Sequence, residues 1–215
     1  MTIRALFVDA GGVLYNNINE ETEFLVRVAD RYGLDREELE RSVCDVAPLY
    51  EGGVKHVHQV FQRLVNPGRW TRKGKRLDTR WLDAAYIDSV RAYRENFQAL
   101  KDVRRDDPRL TVVLTNNEAE HWDRLKDEAF RHFRMFDTLC SSWHIRQVKP
   151  SRAYFAEVMR RIRVPAAETL LIDDRAAVLR VGAALGMRTL HVDAPGVFSG
   201  RLRAAVRGEA VPSAH

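Results

Sequence analysis

The sequence predicts an α/β fold, a parallel sheet with a helical segment inserted after its first strand, on three observations. Short apolar runs of strand length recur: Ile3 to Val8, Leu110 to Leu114, Thr169 to Ile172 and Arg188 to Val192. Helical periodicity fills the gaps between the later runs, in Glu118 to Phe130, Ser151 to Arg163 and Ala176 to Leu185. Residues 16–98, after the first run, are helical in pattern and hold no convincing strand. Strands alternating with helices imply a parallel sheet covered on both faces, a Rossmann-like core.

Along the chain, Ile3 to Val8 ends in Asp9 and runs into Gly11-Gly12, a buried strand entering a tight turn. Glu20 to Tyr32, Arg36 to Tyr50, Val54 to Leu64 and Trp81 to Leu100 are amphipathic helical stretches. They divide the chain into a core of residues 1–15 and 99–215 and a helical unit of residues 16–98. Arg69 to Arg80 carries Arg69, Arg72, Lys73, Lys75, Arg76 and Arg80. It reads as an exposed basic loop, with an anionic-substrate or partner contact as the sharper alternative. Leu110 to Leu114 ends in Thr115-Asn116-Asn117, and Leu139 to Ser141 is a candidate fifth strand. Lys149-Pro150 precedes the helix from Ser151, Thr169 to Ile172 ends in Asp173-Asp174, and the next helix stops at Gly186. The tail, Arg207 to His215, is rich in small residues and is expected to fray.

Composition narrows the function. A chain of 215 residues, 45% hydrophobic and 30% charged, can bury a core, which excludes disorder and a collagen-like rod. The net charge of +5 and pI of 9.4 invite a nucleic-acid partner, but basic and acidic residues are interspersed along the helices. No nucleic-acid partner is therefore expected. The two cysteines, Cys44 and Cys140, stand far apart and read as buried free thiols. No leader is expected before the first strand, and no apolar run approaches the roughly 20 residues of a membrane helix. A cytoplasmic protein without a membrane partner follows, and composition carries no oligomerisation signal.

In parallel sheets, ligands bind outside the carboxyl ends of the strands. Asp9, Thr115 and Asp173-Asp174 all fall at such ends. Taken singly, Asp173-Asp174 could cap the following helix, and Lys149-Pro150 could be an ordinary helix start. Adjacent acids closing an apolar strand are better explained by a cation.

Four pieces, in order, carry a family resemblance: "FVDAGGVL", "VVLTNN", "VKP" and "LLIDDRAAVLRVGAALGM". Together they resemble the haloacid dehalogenase-like (HAD) hydrolases, over nearly the whole chain. The resemblance implies that Asp9 is a nucleophile forming an aspartyl-phosphate. It implies that Thr115, through its hydroxyl, Asn116, through its backbone amide, and Gly12 and Lys149 bind the phosphoryl group. Mg²⁺ would be held by Asp9, the Gly11 carbonyl and Asp174, with Asp173 reached through water. The helical unit would be a cap, with Gly52-Gly53 the turn in its middle. The implied activity is a Mg²⁺-dependent phosphatase acting on a small phosphorylated metabolite, similar to enzymes acting on sugar 1-phosphates. A dehalogenase and a silent ligand-binding member are the alternatives, and the paired acids favour the phosphatase.

The pattern also departs from the family. Phosphatases of this kind carry an acid two residues after the nucleophile, where this chain has Gly11. Such an acid is worth about a hundred- to ten-thousand-fold in rate. His56 and His58 are candidate substitutes. Gly11 is also expected to use a positive φ. Val178 stands where the family often has Asn, and Arg175 where it has a small or polar residue.

Overall fold

The computed structural model of the chain describes residues 2–66 and 75–208. Strand β1 (Ala5–Val8) is followed by helices α1 (Ile18–Glu21), α2 (Phe24–Tyr32), α3 (Arg36–Glu51), α4 (Val57–Leu64), α5 (Thr79–Ser89) and α6 (Arg94–Asp106). Then come β2 (Thr111–Leu114), α7 (Glu120–Phe130), β3 (Thr138–Leu139), α8 (Ser142–Ile145), α9 (Arg152–Ile162) and β4 (Thr169–Asp173). The chain closes with α10 (Ala176–Ala184), β5 (Arg188–His191) and α11 (Phe198–Arg207).

The sheet has five strands in the order β3-β2-β1-β4-β5, and every pairing is parallel. Two-residue alternation divides its side chains between two apolar layers. Leu6, Val8, Val112, Leu114, Leu170 and Ile172 pack on one side, and Ala5, Phe7, Val113 and Leu171 on the other. Burial on both faces is why these strands read as continuous apolar runs. β1 lies at the centre, level with both neighbours: Val8 stands opposite Leu114 on β2 and Ile172 on β4. The residues that follow are therefore brought together at one edge.

Several expectations need correction. Trp81 to Leu100 is not one helix. Val90 turns to an extended ψ of 125°, and Arg91 and Ala92 pair with the chain leaving β1. The Arg91 amide donates to Asn16 Oδ1 at 2.6 Å, and the Asn16 amide to the Arg91 carbonyl at 3.2 Å. The expected division at residue 98 falls inside α6. Glu20 to Tyr32 is interrupted at Thr22, whose hydroxyl accepts from the Phe24 amide at 3.1 Å and competes with the helical ladder. The fifth strand is Thr138–Leu139 rather than Leu139 to Ser141, because Ser141 opens α8, its carbonyl accepting from the His144 and Ile145 amides. Cys140 is buried as expected, but Cys44 is exposed on α3. α11 was not anticipated, although Phe198, Leu202 and Ala205 form its buried stripe. Of the basic loop, residues 69–74 lie outside the described residues, as does the tail after Gly208.

Candidate active site

Asp9 and Thr115 continue the sheet by one residue past β1 and β2. The Asp9 amide donates to the Ile172 carbonyl at 3.0 Å, and the Thr115 amide to the Val8 carbonyl at 2.8 Å. Asp173 ends β4 on the other side. Carboxylate oxygens of Asp9, Asp173 and Asp174 lie within 4.8 Å of one another.

Lys149 is the cation among them. Its Nζ donates to Asp173 Oδ2 at 2.7 Å and stands 3.0 Å from Asp9 Oδ2. A reciprocal clasp sets its position: the Lys149 amide donates to Asn117 Oδ1 at 2.9 Å, and Asn117 Nδ2 donates back to the Lys149 carbonyl at 3.0 Å. Burial would drive Lys149 toward neutrality, but Asp173 and Asp9 outweigh it and hold its pKa above the ordinary value.

The acids are not equivalent. Asp173 is fully buried and spends both oxygens, one on Lys149 and the other on the Arg175 amide at 2.9 Å. Asp174 Oδ2 accepts from Asn17 Nδ2 at 2.8 Å, while its buried Oδ1 has no partner among the described residues. Burial pushes Asp9 up to about 8, against the pull of Lys149 and with the push of Asp173 and Asp174. Burial likewise raises Asp174, although the Asn17 hydrogen bond opposes it. Carboxylates so crowded call for a cation. An all-oxygen set with an unpartnered Asp174 oxygen suits a hard divalent ion such as Mg²⁺.

The glycines have separate reasons. Gly12 has φ of +67°, and a Cβ there would collide with the Asp174 carboxylate. Gly11 does not use positive φ, contrary to expectation. A Cβ on it would instead meet Asn17 Oδ1 at 2.6 Å, so Asn17 fills the space an acid would need.

Thr115 Oγ1 is buried without a partner among the described residues. The Asn116 side chain turns away, donating to Asp123 Oδ1 at 3.2 Å. Asp123 also accepts from Ser141 Oγ at 2.7 Å and Trp143 Nε1 at 2.9 Å, so it ties the loop after β2 to the loop after β3. Burial works against its charge, but His132 and Lys126 prevail and carry it down to about 2.

A cavity of about 180 Å³ is lined by Asp9, Gly11, Asn17, Glu51, Lys149 and Arg175, among others. A smaller one, about 100 Å³, shares Glu51 and Arg175 and adds Tyr50, Tyr86, Glu118 and Lys126. Glu51, at the end of α3, has its pKa pushed up to about 7 by burial, reinforced by Glu118. His56 and His58 line neither cavity, and His58 pairs with Asp83 instead. A larger cavity, about 610 Å³, lies between α6 and the end of α7 and includes none of these residues.

Sequence reasoning placed Asp9, Gly11, Gly12, Thr115, Asn116, Lys149, Asp173 and Asp174, and the fold gathers them all at one edge. It missed Asn17, Glu51, Asn117 and Asp123. Asn117 stood inside a quoted motif. Glu51 adjoined Gly52-Gly53, where Gly53 turns the chain with φ of +66°. Those two could have been found.

Among solved structures, the fold is similar to the HAD family enzyme BT-2542 from Bacteroides thetaiotaomicron, at 21% identity and a TM-score of 0.70, over 89% of this chain and 94% of that one. The wild-type form of that enzyme is known in complex with magnesium and inorganic phosphate, again at 21% identity and a TM-score of 0.70, over 88% and 93%. The L-2-haloacid dehalogenase of Xanthobacter autotrophicus is similar at 17% identity and a TM-score of 0.60, over 88% of this chain and 77% of that one. No curated protein sequence matches. Among the described residues, no helix is long and apolar enough to cross a membrane. The model of the haloacid dehalogenase-like hydrolases matches residues 3–186, and the chain belongs to that family of hydrolases.

Proposed function

We propose that the protein is a Mg²⁺-dependent phosphatase that hydrolyses a small phosphorylated metabolite through an aspartyl-phosphate on Asp9. One observation carries this reading over dehalogenation. Two buried oxygens without partners, Thr115 Oγ1 and Asp174 Oδ1, belong to the segments that follow β2 and β4, the two neighbours of the strand bearing Asp9. A phosphoryl oxygen accepts from the first, and a cation takes the second. The magnesium and phosphate bound by BT-2542 support the same reading.

Asp9 supplies the carboxylate oxygen that attacks phosphorus, and the bond from phosphorus to the ester oxygen breaks. Lys149 neutralises charge on the nucleophile and the phosphoryl group, while Thr115, the Asn116 amide and Gly12 hold the phosphoryl oxygens. Magnesium held by Asp9, the Gly11 carbonyl and Asp174, with Asp173 behind a water, would supply the positive charge that lets two anions meet. Glu51 takes the part of the acid missing at Gly11. A carboxyl poised near 7 gives its proton to the leaving oxygen and then takes one from the water that cleaves the aspartyl-phosphate. The inserted helices α1 to α5 act as the cap, and Tyr50, Tyr86, Glu118 and Lys126 contact the rest of a small polar substrate such as a sugar phosphate.

A panel of phosphorylated metabolites, read by released phosphate, tests the assignment. Turnover should require magnesium, stop with chelator and vanish in Asp9→Asn. Chelator-insensitive halide release from 2-haloacids, with no phosphate release across the panel, would overturn it.

A further inference from the structure

The chain has seven histidines, and three of them gather in one place away from the Asp9 cavity. His58 lies on α4, His56 caps the start of that helix, and His121 lies on α7. Ring centroids are 4.5 Å apart for His58 and His121, 4.8 Å for His56 and His58, and 5.1 Å for His56 and His121. Asp83 on α5 stands between them. Its Oδ1 is 2.8 Å from His58 Nε2, and its Oδ2 is 2.9 Å from His121 Nε2. Trp122 Nε1 donates to Oδ1 at 3.1 Å and fixes the carboxylate's orientation.

We propose that His58, Asp83 and His121 form a second metal site, selective for a borderline transition ion of the zinc class and distinct from the all-oxygen site at Asp9. Two imidazole nitrogens and one carboxylate within 4.8 Å of one another are the donor set such ions take, with water completing the shell. Magnesium, which prefers oxygen, is not expected here. The groups are buried enough to be held and open enough for an ion to enter, with side chains 19%, 20% and 30% exposed for His58, Asp83 and His121. Hydrogen bonding alone explains each His–Asp pair but gives no reason to crowd a third imidazole against them. His56 Nδ1 already accepts from the His58 amide at 3.2 Å, so His56 flanks the ion rather than ligating it. Because the ligands come from α4, α5 and α7, the ion would clamp the inserted helices to the helix that follows Thr115 and Asn116. This site stands independently of the phosphatase reading.

The test is titration of untagged protein with Co²⁺ in saturating magnesium, read by visible absorption. Expected are one equivalent with the intense bands of a four- or five-coordinate ion, displacement by Zn²⁺, and a Zn²⁺-dependent rise in the unfolding temperature. His58→Ala and His121→Ala, each checked for folding by circular dichroism, should weaken binding about tenfold or more, while Asp174→Asn leaves it unchanged. X-ray absorption of the Zn²⁺-loaded wild type should count two imidazoles, a measurement that needs no variant. Only weak octahedral bands, wild-type affinity in both histidine variants, loss of the bands in Asp174→Asn, or fewer than two imidazoles on zinc would each overturn the proposal.

Discussion

Asn17 donates its side-chain amide to Asp174 Oδ2 at 2.8 Å, and its own Oδ1 stands 2.6 Å from where a Cβ on Gly11 would lie. One asparagine thus steadies an acid of the site and occupies the place where an acid is missing. Gly11→Asp alone should lose activity, because the new side chain collides with Asn17 and disturbs Asp174. Gly11→Asp combined with Asn17→Gly should recover turnover, with the largest gain on alkyl phosphates, whose leaving oxygens most need a proton. Rates on a series of aryl and alkyl phosphates check this. A fully active single variant would mean that Asn17 yields.

Glu51 predicts a pH dependence whose sign is fixed by its raised pKa. Its charged form is disfavoured in the folded chain, so folding stability present at low pH is lost as pH rises through about 7. Glu51→Gln should therefore match wild type in stability at pH 4 and exceed it by about 1–3 kcal/mol at pH 8. The same change should remove the limb of the pH–rate profile near 7 and slow turnover about a hundredfold or more. Thermal melts at both pH values and the profile of kcat test the two statements separately.

Asp173 and Asp174 should fail differently. Asp174→Ala should abolish the calorimetric signal of Mg²⁺ binding with little loss of stability, since the carboxylate has one unpartnered oxygen to give. Asp173→Ala takes from buried Lys149 the nearer of its two carboxylate partners, leaving Asp9 at 3.0 Å, and should cost about 1–3 kcal/mol. Its Mg²⁺ affinity should drop only about 10- to 100-fold. Normal Mg²⁺ binding by Asp174→Ala would refute the ligand assignment.

Asp123→Ala removes the acceptor shared by Asn116, Ser141 and Trp143 in a fully buried place. It should destabilise by about 3 kcal/mol, because several donors lose their partner at once. Urea unfolding measures it. A change within 0.5 kcal/mol would show that water replaces the carboxylate.

The residues legible in the sequence were those whose position follows from local pattern. Asp9, Thr115 and Asp173 each close an apolar run, and a parallel sheet in register brings such ends together. Asn17 was invisible because its role depends on a partner far along the chain; it meets Asp174 across 157 residues. The break between α5 and α6 was hidden for a similar reason. Helical spacing continues through residues 90–93, and pairing with the chain leaving β1, at Leu14, Tyr15 and Asn16, pulls the backbone straight there. The surface of Cys44 and the stripe of α11 were within reach of a helical wheel.

The pairing of Asn16 with Arg91, with the Tyr93 amide donating to the Leu14 carbonyl at 2.9 Å, makes the departure and return of the inserted helices next-door neighbours. For the sheet, the excursion is then a closed loop, and its length matters only logarithmically. Each doubling adds about 0.6 kcal/mol of closure entropy. Evolution can lengthen, shorten or exchange everything beyond that clasp at small thermodynamic cost. A one-residue slip in β1 is another matter, since it would point Asp9 to the opposite face of the sheet.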